Sequence, residues 1–305
     1  MDVKQMLYIV TIAQEGGISR AAAKLFITQS ALDQQLLKLE HELGTPLFCR
    51  SRGSFSLTEA GRVYVEYAEK MLAMKNEAYR VIHDIADQRR GTLSLAFAPE
   101  RGMEMFVDVY PRFYRDYPQV KVVPQELSVR RQLELLAGDA LDLGFIPRRE
   151  ESLPGVDQVT LCREEFLLIT PSDHPLAARA APPGEPLTVL ELSCLRGLTF
   201  CLIYRQSTQR EVIDPLFDQA GCRAEIFLET ASNRANVSMV RRGLSCSILP
   251  AHYVRGVTDV ACFRLEGCPS WTLTACHRRG RYLSKAARHF ARLAEEYFQR
   301  EETDV

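Results

Sequence analysis

The sequence has no run of ~18 consecutive apolar residues, the length a membrane helix needs, so no transmembrane helix is expected. Its first residues, Met1-Asp2-Val3-Lys4-Gln5, lack the basic-then-apolar pattern and the small-residue cleavage site of a secretory signal. Cysteine occurs nine times, at Cys49, Cys162, Cys194, Cys201, Cys222, Cys246, Cys262, Cys268 and Cys276, but the count is odd and no Cys-x-x-Cys pair is present. That excludes zinc-ribbon spacing, and a chain of 305 residues needs no disulfide staples. A reducing, cytoplasmic setting with mostly buried thiols is the expectation. An excess of one charge is also missing, because 38 Lys and Arg stand against 39 Asp and Glu. This excludes a polycationic nucleic-acid coat, and any DNA contact has to come from a local patch. No Gly-x-Ser-x-Gly, His-Glu-x-x-His, phosphate-binding Gly-rich loop or paired carboxylates appear, so no catalysis, metal or cofactor is expected. His174, before a proline, reads as structural, and His41 and His83 fall on polar helix faces.

What is present is an ordinary globular balance, 46% hydrophobic and 25% charged, with length for about two domains. Residues 1 to about 87 read as helical. Met6, Leu7, Ile9, Val10 and Ala13 mark a first helix stopped by Gly16-Gly17. Ser19 is placed as the N-cap of a second, short helix, and Phe26-Ile27 breaks it. Thr28 then caps a third helix, with Leu32, Leu36, Leu39 and Leu43 on one core-facing stripe and Gly44 at its end. Two helices joined by a short turn form a helix-turn-helix pattern. Residues 45–57 read as a small β-wing with a Ser/Arg/Gly tip, and Thr58 caps a long fourth helix. Along that helix Tyr64, Ala68, Met71, Lys75, Ala78, Ile82 and Ile85 alternate 4 and 3 apart, a heptad seam suited to a second copy of the chain.

Beyond Arg89-Arg90-Gly91 short β runs alternate with helices, the signature of α/β architecture, and the βαβ spacing predicts a largely parallel sheet. The units expected are a helix-turn-helix with its wing at 1–58, a long helix at 59–88 and an α/β part at 91–305. Within the last, lobe I takes about 91–160 and 266–305, and lobe II about 164–264.

Four blocks in the first third belong together: Ser19-Arg20-Ala21-Ala22-Ala23-Lys24-Leu25, Thr28-Gln29-Ser30-Ala31-Leu32, Leu39-Glu40-x-Glu42-Leu43-Gly44-x-Pro46-Leu47-Phe48 and Leu57-Thr58-Glu59-Ala60-Gly61. With Tyr110-Pro111-x-Phe113, Gly138-Asp139-Ala140-Leu141-Asp142 and Asp173-His174-Pro175-Leu176-Ala177 further on, the chain resembles the LysR-type transcriptional regulator family over nearly its whole length. The resemblance implies an all-α winged helix-turn-helix, a dimerising linker helix and a two-lobed α/β effector domain of periplasmic-binding-protein type. It implies as partners an operator in double-stranded DNA, a small-molecule effector, and further copies of the chain in a homodimer or homotetramer.

On that reading Ser19, Thr28, Gln29, Ser30, Asp33, Gln34 and Lys38 face DNA, with Arg50 and Arg52 on the wing reaching phosphates or the minor groove. The third helix departs from the family, carrying Asp33-Gln34-Gln35-Leu36-Leu37-Lys38 where Ser-Arg-Gln-Ile and two basic residues are usual. Counterion release is therefore expected to contribute less. The effector is expected in the crevice beyond the strand ends, walled by Pro99, Glu100, Arg101, Ser128, Phe145, Pro147, Cys201, Tyr204 and Thr230. Glu100-Arg101 replaces the Ser or Thr usual at that helix start, which reads either as a salt-linked surface loop or as a sign of a basic or mixed polar ligand, or of Arg101 taking an anion. Two alternatives stay open: a thiol redox sensor built on Cys194 and Cys201, and a solute-binding domain with a non-functional N-terminus.

Overall fold

A computed structural model describes residues 2–51, 54–86, 89–149, 153–182 and 184–303. The chain divides into two compact units, one of residues 1–91 with 137–140 and one of the remainder from 92 onward.

In the first unit, helix α1 (Val3–Glu15) is capped by Asp2 and ends at Gly16, whose φ of 61° favours glycine. Helix α2 (Ile18–Leu25) begins two residues earlier than expected, behind Gly17, so Ser19 lies inside the helix and is not its cap. Helix α3 (Gln29–Leu43) starts as expected, Thr28 Oγ1 accepting from the Ala31 N–H at 3.2 Å, and ends at Gly44. Leu32, Leu36 and Leu39 are fully buried with Ile9, Ile12 and Ala21. Leu43 departs from the expected stripe and is 44% exposed, because the last turn of α3 runs past the edge of the core.

Strands β1 (Phe48–Ser51) and β2 (Ser54–Leu57) form the antiparallel wing, with Phe48 stacked on Phe55. Helix α4 (Glu59–Ile85) is capped by Thr58 and passes close against the wing's base. A Cβ at Gly61 would stand 2.0 Å from the Leu47 carbonyl oxygen, so only glycine permits that approach. The heptad seam is split. Tyr64 and Ala68 are buried in the unit's own core and are not available to a second copy, because the first turns of α4 pack on α1. From Met71 onward that face is open: Met71, Ala78, Ile82 and Ile85 are exposed.

The second unit is built on a sheet in the order β4-β3-β5-β12-β6-β11-β7, with β10 also on β6, and on a separate parallel pair, β8-β9. The strands are β3 (Arg90–Phe97), β4 (Gln119–Glu126), β5 (Leu143–Arg148), β6 (Val156–Pro171), β7 (Val189–Leu190), β8 (Thr199–Ile203), β9 (Glu225–Thr230), β10 (Ser247–Pro250), β11 (Val260–Leu265) and β12 (Ser270–Arg278). The helices are α5 (Arg101–Asp116), α6 (Val129–Ala137), α7 (Thr208–Gln219), α8 (Asn233–Arg241) and α9 (Lys285–Thr303).

The sheet is mixed, contrary to the parallel expectation. β3 pairs β5 and β8 pairs β9 in parallel, as βαβ units must, but β10, β11 and β12 all run antiparallel to β6. The reason lies in β6, sixteen residues long, whose first part pairs β12 and whose last part pairs β10 and β11. It carries the chain from the first lobe to the second and is shared by both. One large core follows, reaching from Leu93, Phe97 and Phe113 to Phe200, Phe263 and Phe290. Among the described residues no helix is long and apolar enough to cross a membrane.

Candidate nucleic-acid interface and effector cleft

The residues expected to face DNA gather at the start of α3. Ser19, Thr28, Gln29, Ser30, Gln34 and Lys38 are exposed, while Asp33 is half-buried and engaged by other groups. The Ser19 hydroxyl donates to Gln29 Oε1 at 2.8 Å, and Thr28 Oγ1 lies 3.2 Å from Ser30 Oγ. Ser19 thus sets the direction of the Gln29 amide, whose NH₂ remains to donate. An amide held this way suits the edge of an adenine, and hydroxyls at a helix start suit phosphate.

Arg50 sits in β1 opposite Phe55, and Arg52 lies outside the described residues. Glu40 is turned inward, its Oε1 accepting the Leu47 and Phe48 N–H groups at 2.7 and 3.2 Å. That carboxylate ties α3 to the wing and is already paired with backbone donors, so the acidic count of this segment overstates its repulsion of phosphate.

In the second unit a cleft of about 840 Å³ opens between β3–α5, α6 and β5 of one lobe and β8, α7 and α8 of the other. Pro99, Glu100, Arg101, Ser128, Pro147 and Tyr204 line it as expected. Three residues do not. Phe145 is a core residue, stacked on Phe97 and edge-on to Phe290. Cys201 is fully buried, its thiol donating to Asn236 Oδ1 at 3.1 Å. Thr230 donates to the same Asn236 oxygen and to the Ser232 carbonyl, bracing the β9–α8 turn.

Arg101 is not free to take an anion, and of the two readings its surroundings match the salt-linked one. It is 5% exposed and donates to Glu164 Oε1 at 2.7 Å and Glu301 Oε2 at 2.5 Å, with the Phe298 ring 4.7 Å away. Burial works to lower its pKa, but Glu164 and Glu301 outweigh it and hold the charge on. Glu164, from β6, also accepts from Trp271 Nε1 of β12 at 2.9 Å. Arg101 therefore fastens α5 to the strands and helix behind the cleft.

Sequence reasoning missed the wall formed by Gln209, Asn233, Tyr253 and Trp271, for which no motif gave a signal. Gln209 Oε1 and Asn233 Oδ1 are buried with no hydrogen-bond partner among the described residues.

The thiols do not favour redox sensing. Burial pushes the Cys194 and Cys201 thiols up, and Cys246 up to about 12, the opposite of an activated thiolate. His174 is structural, its Nδ1 accepting from the Leu176 N–H.

Comparison with known proteins agrees with this arrangement. Residues 3–62 match the bacterial regulatory helix-turn-helix protein model of the lysR family, and residues 86–299 match the LysR substrate binding domain. An uncharacterized HTH-type transcriptional regulator of Bacillus subtilis, YybE, is 28% identical over 98% of this chain and 99% of its own. A probable RuBisCO transcriptional regulator of Cyanidioschyzon merolae is 31% identical over 80% of both chains. Among solved structures, full-length OxyR of Pseudomonas aeruginosa superposes with a TM-score of 0.71 at 24% identity, covering 97% of this chain and 98% of that one. The LysR family regulator CbnR, in complex with its target DNA, gives 0.60 at 22% identity, covering 97% and 99%. With a winged helix-turn-helix followed by a two-lobed cleft domain, and with both family models matched, the chain belongs to the LysR-type family of DNA-binding transcriptional regulators.

Proposed function

We propose that this protein reads a specific operator through the first turn of α3 and adjusts its promoter contacts according to a small polar effector held between the two lobes. On this reading it acts in the cytoplasm without catalysing a reaction. Residues 1–58 bind DNA, 59–88 join copies of the chain, and the rest sense the effector. The observation that carries the DNA reading is the exposed Ser19–Gln29 hydrogen bond beside Thr28 and Ser30. It orients an amide for a base edge at the end of the helix that enters the groove in such folds. Gln34 and Lys38 extend the contact along α3, and Arg50 and Arg52 supply phosphate contacts from the wing. In the cleft, the buried acceptors of Gln209 and Asn233 favour an effector that brings hydrogen-bond donors.

The test is operator selection from random duplexes, followed by anisotropy titrations. Gln29→Ala should lose about 1–3 kcal/mol of discrimination at one base position while binding to unrelated DNA stays the same. Unchanged selectivity would remove the α3 turn from the groove.

A further inference from the structure

The element that closes the cleft at α8 is Glu100. Its backbone stands at φ 62°, ψ −79°, and the Arg101 N–H donates to the Pro99 carbonyl at 2.9 Å. This is a γ-turn of the rarer, strained hand, and a side chain with a Cβ adopts it only when its surroundings hold it there. Here the carboxylate is held from across the cleft. Oε1 accepts from the Ser232 hydroxyl at 2.5 Å and Oε2 from the Asn233 N–H at 2.9 Å. Ser232 Oγ itself accepts from the Ala235 N–H as the cap of α8. One turn further along α5, Glu104 pairs with Arg234 and lies 2.7 Å from His252 Nε2. Two carboxylates on one lobe thus grip the first turn of a helix on the other. The amides at a helix start attract an anion, and the anion seated on them belongs to the chain.

We propose that Glu100 is a tethered carboxylate latch. It holds the two lobes together by occupying the anion-binding start of α8, and a ligand group that reaches this turn must displace it. The proposal deepens the effector reading given above and rests on it for its regulatory meaning. An effector carboxylate meets a filled seat at α8, whereas donors directed at Gln209 and Asn233 do not. Release of the strained turn helps any ligand that dislodges Glu100, so the latch is biased toward opening once its carboxylate is displaced.

Hydrogen–deuterium exchange of the full-length chain tests this without operator or effector, so its outcome does not depend on whether the regulatory reading holds. Glu100→Gly removes the carboxylate and suits the backbone. Glu100→Gln keeps the shape and removes the charge. In both, amides 233–236 should exchange about tenfold faster or more, as the loss of a charge-assisted hydrogen bond implies. Peptides from β6 and β12 should be unchanged. Sodium formate at about 0.1 M, above the millimolar effective concentration typical of short tethers, should slow exchange at α8 in Glu100→Gly and leave the wild type unaffected. Equal exchange at α8 in the wild type and Glu100→Gly overturns the latch, as does acceleration that spreads equally to β6 and β12. Formate acting alike on both proteins, or on neither, overturns the assignment of the α8 turn as a carboxylate seat.

Discussion

Arg101 shows how much a single residue's role depends on its partners. A guanidinium at a helix start facing a cleft has the chemistry to take a ligand anion, but here Glu164 and Glu301 already hold it, within a shell of Tyr297, Phe298 and His252. Its removal strands two carboxylates, one of them 8% exposed. Arg101→Ala should therefore destabilise the effector unit by roughly 3–5 kcal/mol, the usual result of breaking one side of a buried pair. Urea unfolding followed by the fluorescence of Trp271 checks it. A loss below about 1 kcal/mol would mean that water replaces the guanidinium at little cost.

At the scale of elements, α4 does two jobs in sequence along its length. Its first turns complete the helical core through Tyr64, Val65 and Ala68, and only the part from Met71 to Ile85 presents an open apolar face. The seven-residue pattern does not distinguish the two, because an own-chain helix and a second copy select the same apolar stripe. A face that leaves Met74, Ile82 and Ile85 at 70%, 59% and 80% exposure suits burial against another copy. Ile82→Asp should turn the isolated residues 1–90, a unit with its own core, from dimer to monomer in sedimentation at low micromolar concentration. Tyr64→Ala should instead unfold that unit in part, since its ring packs within the core. A dimer that survives Ile82→Asp would place the interface elsewhere.

For the molecule as a whole, the ion pairs between lobes and around α9 set a dependence on pH. Burial raises the carboxyl pKa of Glu104, but Arg234 and His252 outweigh it and hold the group below its ordinary 4.5. Burial likewise raises that of Glu301, and Arg101 outweighs it in the same sense. A carboxyl whose folded pKa is depressed adds stability above its unfolded value and loses it as pH falls through the folded one. Melting temperature should therefore hold steady down to about pH 5 and fall progressively below the ordinary carboxyl range. Arg101→Ala should flatten the part of that fall due to Glu301. Thermal melts in matched-ionic-strength buffers read this directly, and a melting temperature that stays level or rises below about pH 4 would contradict it.

Local features of the chain were legible in the sequence because their causes are local. The caps at Thr28 and Thr58, the stop at Gly44, the buried leucines of α3, the wing and the alternating α/β pattern all depend on residues a few positions apart. The family motifs likewise pointed to six of the nine expected cleft residues that line the cleft. Ser19 failed as a cap because the start of a short helix shifts by a residue or two at little cost. The sheet's mixed direction, the loss of Tyr64 and Ala68 from the seam, and the withdrawal of Phe145, Cys201 and Thr230 from the cleft were decided only by tertiary structure. The same holds for the capture of Arg101 by Glu164 and Glu301, and of Glu100 by Ser232 and Asn233. The physical reason is shared. A charged or polar side chain carries the same local signal whether its partner is a ligand, water or its own chain, and these partners stand 63 to 200 residues away in sequence. Only the folded chain brings them within hydrogen-bonding distance, and that proximity determines which groups remain free to bind something else.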